Sequence, residues 1–276
     1  MILFALVRHT IRELLFRVTL LILTGISTLI ILVMLLSVGS AESAEGVVIT
    51  LFSQAMGPPV PIDQLEQAAY LMQMSLTGGL YTGIILFGII ATAGLIPETL
   101  EKGLIDIYLS KPLARWQLII GRILGAVAII FANALYFLGA LWLIFGLKLG
   151  VWNAHFLIAP FILTLVFACL YTISVLIGIL VRNAVVPILG VLFYQVVVAG
   201  LLESRERSLY LLSQNVVYRT IVDGFYYALP QIRALQASNE QFIIHQSFMW
   251  EPLVQSIAVS GLILGASLWV FQRKDF

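Results

Sequence analysis

Six stretches of this 276-residue chain contain no Asp, Glu, Lys or Arg, and each is at least 20 residues long. They are Val18–Ala41, Gln67–Pro97, Ile123–Leu147, Leu149–Val181, Asn183–Leu202 and Pro252–Gln272. A bilayer core of ~30 Å takes about 20 apolar residues of helix to cross. Lipid offers the backbone no hydrogen bonds, so such stretches must cross as helices that satisfy their own peptide groups. The composition agrees: 61% of residues are hydrophobic and 11% charged, against roughly 25% charged in soluble domains. A soluble enzyme, a disordered chain and a secreted disulfide scaffold are excluded. The net charge of +1 gives no electrostatic case for a nucleic-acid partner. A β-barrel would need alternating segments of ~10 residues, and none occurs. The single cysteine, Cys169, leaves the redox compartment unread.

The expected fold is therefore an all-α polytopic membrane protein in one transmembrane domain over 1–276. Crossings are expected at 18–41, 67–97, 123–147, 155–181, 184–202 and 252–272. Only Arg182-Asn183 separates the fourth from the fifth; another division of Leu149–Leu202 is the alternative. The first run exceeds the 7–15-residue core of a signal peptide, so an uncleaved crossing is expected. Sidedness follows the Lys/Arg bias of the flanks. With the N-terminus inside, ten of the fifteen Lys and Arg residues fall on the cytoplasmic side and five outside. Both termini are thus expected in the cytoplasm.

Residues 1–17 place Leu3, Phe4, Val7, Ile11, Leu14 and Leu15 on one helical arc, with Arg8, His9, Arg12 and Glu13 opposite. This pattern predicts an amphipathic helix lying in the lipid interface. The outside segment 42–66 carries Gly57-Pro58-Pro59-Val60-Pro61, which rules out a continuous helix. The segment 203–251 mixes charges with apolar clusters such as Phe225-Tyr226-Tyr227, and predicts short helices packed on the outer membrane face. They would form either a lid or a docking surface.

Between the second and third crossings, Pro97 suits a first helical turn. Leu100, Leu104 and Ile107 share one face, and Glu98, Lys102 and Asp106 another, at spacing that favours a helix. Pro112 ends it. A short amphipathic helix over 97–115 would thus be pinned at both ends to crossings.

This segment resembles the permease subunits of ABC-2 type exporters, a family that includes multidrug and antibiotic export permeases and the permease of nitrous-oxide reductase maturation. The matching positions are Glu98, Gly103, Asp106, the run Leu109-Ser110-Lys111-Pro112-Leu113-Ala114-Arg115, and Gly121-Arg122. The terminal Arg273-Lys274-Asp275-Phe276 also resembles the family's basic-Asp-aromatic end. Leu104 stands where Thr is frequent, and Arg122 where Lys is frequent. The resemblance implies a type V exporter-like fold with a cytoplasmic coupling helix. Its ATPase-coupling residues would be Glu98, Leu100, Glu101, Gly103, Leu104, Asp106, Ile107, Ser110, Pro112 and Arg115. It further implies a homodimer of permeases in a bacterial plasma membrane, with ABC ATPase subunits that bind ATP and Mg.

The chain has no Gly-x4-Gly-Lys-Ser/Thr sequence to cradle phosphates. His9, His155 and His245 are scattered and make no metal pair. No catalytic dyad and no cofactor site of its own is expected. All six runs lack carboxylates, which argues against a proton- or sodium-coupled carrier and suits an apolar or amphipathic cargo. Asn133, Tyr136, Tyr171, Tyr194 and Gln195 are the polar side chains at depth, serving either as interhelical glue or as pathway lining. Ser75/Gly79/Gly83, Gly121/Gly125 and Gly261/Gly265 are small-residue pairs that permit close helix approach. The expected function is export of a small or amphipathic substrate. The alternative is an ABC-type permease serving maturation or assembly of an extracytoplasmic protein or metalloenzyme, bound through the outer loops.

Overall fold

The computed structural model describes residues 2–43, 46–52, 54–55, 59–61, 64–100, 114–213, 215–245 and 247–274. Helix α1 (Ile2–Leu15) precedes the first long helix, α2 (Val18–Ser37). Three short strands follow, β1 (Val38–Ser43), β2 (Gly46–Leu51) and β3 (Gln54–Ala55). Next come α3 (Leu65–Thr92), α4 (Leu95–Thr99) and α5 (Arg115–Leu149). A 3-10 turn (Ala154–Ile158) leads into α6 (Ala159–Val181). Helix α7 (Val185–Phe193) continues through a π turn (Tyr194–Val198) into α8 (Ala199–Glu203). Then follow α9 (Leu209–Leu212), α10 (Val216–Ala228), α11 (Ile232–His245) and α12 (Trp250–Arg273). Among the described residues, six helices are long and apolar enough to cross a membrane: Val18–Ser37, Leu65–Thr99, Arg115–Leu149, Ala154–Val181, Val185–Glu203 and Trp250–Arg273. The chain is a mainly helical, multi-pass membrane protein.

The fourth span is the axis of the bundle. Its apolar window is 72% buried, against 17% for the sixth and 22% for the first. Phe167 and Tyr171 stack at 5.5 Å within it, and both are fully buried with Phe137 and Phe145 of α5. Between lipid-bathed helices this close packing supplies the association, because lipid tails are as apolar as the side chains.

The third span starts at Arg115, eight residues before the charge-free run. The Gln117 side chain accepts from the Ala114 N–H (3.1 Å) and fixes that start. Arg115 and Arg122 are tolerated because protein oxygens receive them. At the far end, Gly150 takes a left-handed conformation (φ 72°) and donates its N–H to the Gly146 carbonyl (3.1 Å), a stop that suits glycine. The Arg182-Asn183 link is as tight as its length implies. Arg182 is left-handed (φ 54°), and Asn183 Oδ1 accepts from the Val185 N–H at 2.7 Å.

Two findings depart from the sequence reading. The first concerns 42–66: β1 pairs antiparallel with β2 from Val38↔Leu51 to Ser43↔Gly46, so a small sheet joins the helical body. The four consecutive β-branched residues Val47-Val48-Ile49-Thr50 favour it, and the prolines lie after the paired strands. The second concerns 203–251. Helix α10 keeps most of its side chains exposed around a buried Val222, whereas α11 packs into the bundle with Ile232, Leu235, Ser238, Asn239 and Ile243 buried, and the turn between the two is seated on the fifth and sixth spans. Tyr194, midway along the fifth span, donates its O–H to the Pro230 carbonyl (2.6 Å). The Gln231 N–H donates to Ser256 Oγ, two turns into the sixth span (2.9 Å). Gln255 Nε2 donates to the Tyr227 and Leu229 carbonyls. Tyr194 and Gln255 thus answer carbonyls that the turn around Pro230 leaves unspent, and Ser256 answers its open N–H. The fold-back also carries ionisable groups against the spans, contrary to the expectation drawn from six charge-free runs. Arg233 donates to the Gln195 carbonyl (3.4 Å), and the Glu240 carboxylate lies against Gly78.

Candidate functional site

Both chain ends meet at one end of the bundle, opposite the sheet. Helix α1 crosses the start of α5 with Leu14 and Thr10 buried beneath it. The crossing is close because α5 offers glycine there. A Cβ at Gly121 would stand 2.7 Å from Leu6 Cβ, and one at Gly125 2.6 Å from Thr10 Cβ. This small-residue pair is thus used in packing within the chain. A Cβ at Gly79, Gly83, Gly261 or Gly265 would meet nothing within 4 Å.

The close approach brings Glu13 to Arg122. The Arg122 guanidinium donates to Glu13 Oε2, and Arg122 is only 5% exposed. Arg17 donates to Glu13 Oε1 (3.1 Å) and to Glu98 Oε2. Four charges therefore form one continuous chain, Arg122–Glu13–Arg17–Glu98, which ties α1, the first span, α4 and the third span together. Burial works to raise the Glu13 pKa, but the hydrogen bonds and charges of Arg122 and Arg17 outweigh it and hold the carboxyl below its ordinary value. A side chain at Gly94 would crowd the Glu98 carboxylate and Arg17 and displace them from this arrangement. A recess of about 540 Å³ opens next to it, lined by His9, Arg12, Glu13, Phe16, Glu98, Thr99 and Arg122.

The same end of the bundle holds the C-terminal basic residues. Lys274 Nζ donates to the Ile179 and Leu180 carbonyls (2.7 and 3.1 Å), capping the fourth span. Arg115 donates to the Gln272 and Lys274 carbonyls (3.4 and 3.2 Å). Cations on terminal carbonyls satisfy groups that a helix end leaves open and complement its dipole. Asp275 and Phe276 lie outside the described residues.

Of the ten coupling residues expected from the sequence, Glu101, Gly103, Leu104, Asp106, Ile107, Ser110 and Pro112 lie outside the described residues. The other three are held within the chain. Glu98 is ion-paired with Arg17, with its side chain 46% exposed. Leu100 is 4% exposed, so it packs inward rather than presenting a docking face. Arg115 is engaged by the C-terminal carbonyls.

Four of the five pathway candidates bond three different neighbours. Asn133 Oδ1 accepts from Ser27 (3.4 Å), and its Nδ2 donates to Thr24 Oγ1 (3.3 Å). Tyr136 bonds Thr28 one turn along (3.1 Å), so this pair zips the third span to the first. Tyr171 donates to the Thr92 carbonyl of the second span (3.2 Å). Tyr194 holds the turn between α10 and α11. Gln195 is buried, and neither side-chain amide atom has a partner among the described residues. The sequence reading missed Glu13 as the counter-ion of Arg122 and Arg17. The signal was available in part: Glu13 and Arg17 stand one helical turn apart, the spacing of a helix ion pair.

No family model matches the chain, and no curated protein matches it. Among the described residues no group of three or more His, Cys, Asp or Glu side chains is placed to hold a metal.

Proposed function

We propose that the chain is the membrane-spanning permease subunit of an ABC-2 type transporter. Separate ATPase subunits that bind ATP and Mg drive it, and two copies pair in a bacterial plasma membrane with their termini in the cytoplasm. The cargo is small or amphipathic. One observation carries the reading: Glu98, at the entry to the 97–115 segment, is joined through Arg17 and Glu13 to Arg122. A push on that segment reaches the first and third spans through rigid charge contacts rather than through a slack loop. The sequence resemblance over Glu98–Arg122 and the Lys/Arg bias of the flanks support the same reading.

The test begins with purification of the native complex. A nucleotide-binding chain should accompany the permease, and Glu98→Ala or Gly103→Val should lower permease-stimulated ATP hydrolysis without loss of insertion. Absence of any such companion, or unchanged stimulated turnover in both variants, overturns the proposal. A second reading draws on the sheet at the opposite end, closed further by the Val47–Val60 bridge. This ordered element suits a permease that serves the maturation or assembly of an external protein. Cross-linking of the sheet end to such a protein would favour it over efflux.

A further inference from the structure

Beyond the fifth span the chain turns through Ser204–Ser208 before α9 and α10. Arg205 in this turn is already neutralised. Its Nε donates to Asp223 (2.9 Å), its guanidinium lies 3.7 Å over the Tyr226 ring, and Tyr210 donates to the same carboxylate (2.6 Å). The remaining charges are arranged otherwise. Glu203, Glu206, Arg207 and Arg233 border a recess of about 530 Å³, a size common for small-molecule sites. Among the described residues no carboxylate–guanidinium pair within 4 Å involves these four. Arg233 donates to neutral oxygens, the Gln195 carbonyl (3.4 Å) and Gln236 Oε1 (3.5 Å), with Glu240 of its own helix within electrostatic reach. Two positive and two negative groups thus share one recess without a direct ion pair among them.

The segments that flank the recess in the chain expose apolar residues. Leu211 and Leu212 on α9 are 80% and 75% exposed, and Val216 on α10 is 75% exposed. The fifth span below exposes Phe193, Val196 and Leu201. A balanced, mixed-charge recess beside apolar tracks matches a ligand with separated charges of both signs and hydrocarbon tails.

We propose that this recess binds the headgroup of a zwitterionic phospholipid with a primary amine, phosphatidylethanolamine in chemical class. Its phosphate meets Arg207 and Arg233, its ammonium meets Glu203 and Glu206, and its acyl chains lie along the fifth span and α9. Guanidinium suits phosphate. A primary ammonium donates hydrogen bonds to carboxylates, which a quaternary one cannot do. An anionic headgroup without an amine would leave both carboxylates unanswered. The site does not depend on the transport reading, because no ATPase subunit is needed to form it.

The experiment is a lipid titration of the purified full-length chain, stripped of lipid, read by native mass spectrometry. Phosphatidylethanolamine, phosphatidylcholine and phosphatidylglycerol with the same acyl chains are compared with soluble phosphoethanolamine. Charge-assisted hydrogen bonds of this kind correspond to a preference of about tenfold for the ethanolamine lipid over the other two. Arg207→Gln with Arg233→Gln should abolish the preference. Glu203→Gln with Glu206→Gln, both at exposed side chains, should move it toward phosphatidylglycerol, and this pair decides the matter if the arginine variant fails to fold. Equal retention of the three lipids, or a preference that survives both variants, overturns the site. Preference for phosphatidylglycerol in the unaltered chain also overturns it, as does soluble phosphoethanolamine binding as tightly as the lipid.

Discussion

Arg122 donates to the carboxylate of Glu13, a residue 109 positions earlier in the chain. Arg122 is nearly enclosed, so its charge draws on that carboxylate where water is excluded. Removing one member of a buried pair leaves the other desolvated and uncompensated.

Glu13→Ala should therefore lower stability by about 3 kcal/mol, seen as a reduced thermal midpoint of the chain in detergent. Glu13→Ala with Arg122→Met should recover much of the loss, because the orphaned charge is then gone. An Ala variant as stable as the parent would remove the pair from the account of how α1 is held.

The same pair predicts a pH dependence. The folded pKa of Glu13 lies below its ordinary value, so its contribution is fully present above the unfolded pKa of about 4.3. It is lost as pH falls through the folded value. The gap in thermal midpoint between the parent and Glu13→Gln should be widest near neutrality and should close below about pH 4. A gap independent of pH would contradict the assignment.

Glycine substitutions should divide sharply. Gly125→Val must push against Thr10 and the Val7 carbonyl and should cost about 1–3 kcal/mol, with faster hydrogen exchange along α1. Gly261→Ala meets nothing within 4 Å and should change stability by less than about 0.5 kcal/mol. Equal effects at the two sites would refute the packing role assigned to Gly121 and Gly125.

Lys274→Ala should uncap the fourth span. The expected loss is about 1 kcal/mol, with faster amide exchange confined to the residues around Ile179–Arg182. Lys274→Arg should retain protection there. Protection unchanged in Lys274→Ala would leave the basic terminus without the capping role.

The spans were readable from the sequence because lipid imposes a rule on contiguous residues: roughly 20 without a charge. The rule fails where protein stands in for water. Arg115 and Arg122 belong to the third span, yet a charge-free criterion excludes them, since their partners Lys274 and Glu13 are remote in sequence. The seating of α11 was illegible for a related reason. Its Arg233 and Glu240 read as surface residues, while the groups that hold the turn before it, Tyr194, Gln255 and Ser256, lie on other helices. Glu98 was marked by resemblance, but its tie to Arg17 crosses 81 positions and leaves no local pattern. The β1–β2 pairing was obscured by the glycine and prolines after it, which dominate the composition of that loop.

The join at Arg182-Asn183 sets a mechanical limit on the bundle. With three residues between them and the Asn183 side chain bonded to the Val185 N–H, the fourth and fifth spans cannot part at that end. Any splaying between them must grow with distance from the join, as the arms of tongs do from their rivet. It is therefore largest at the far end, where Glu203 and the turn that follows it emerge.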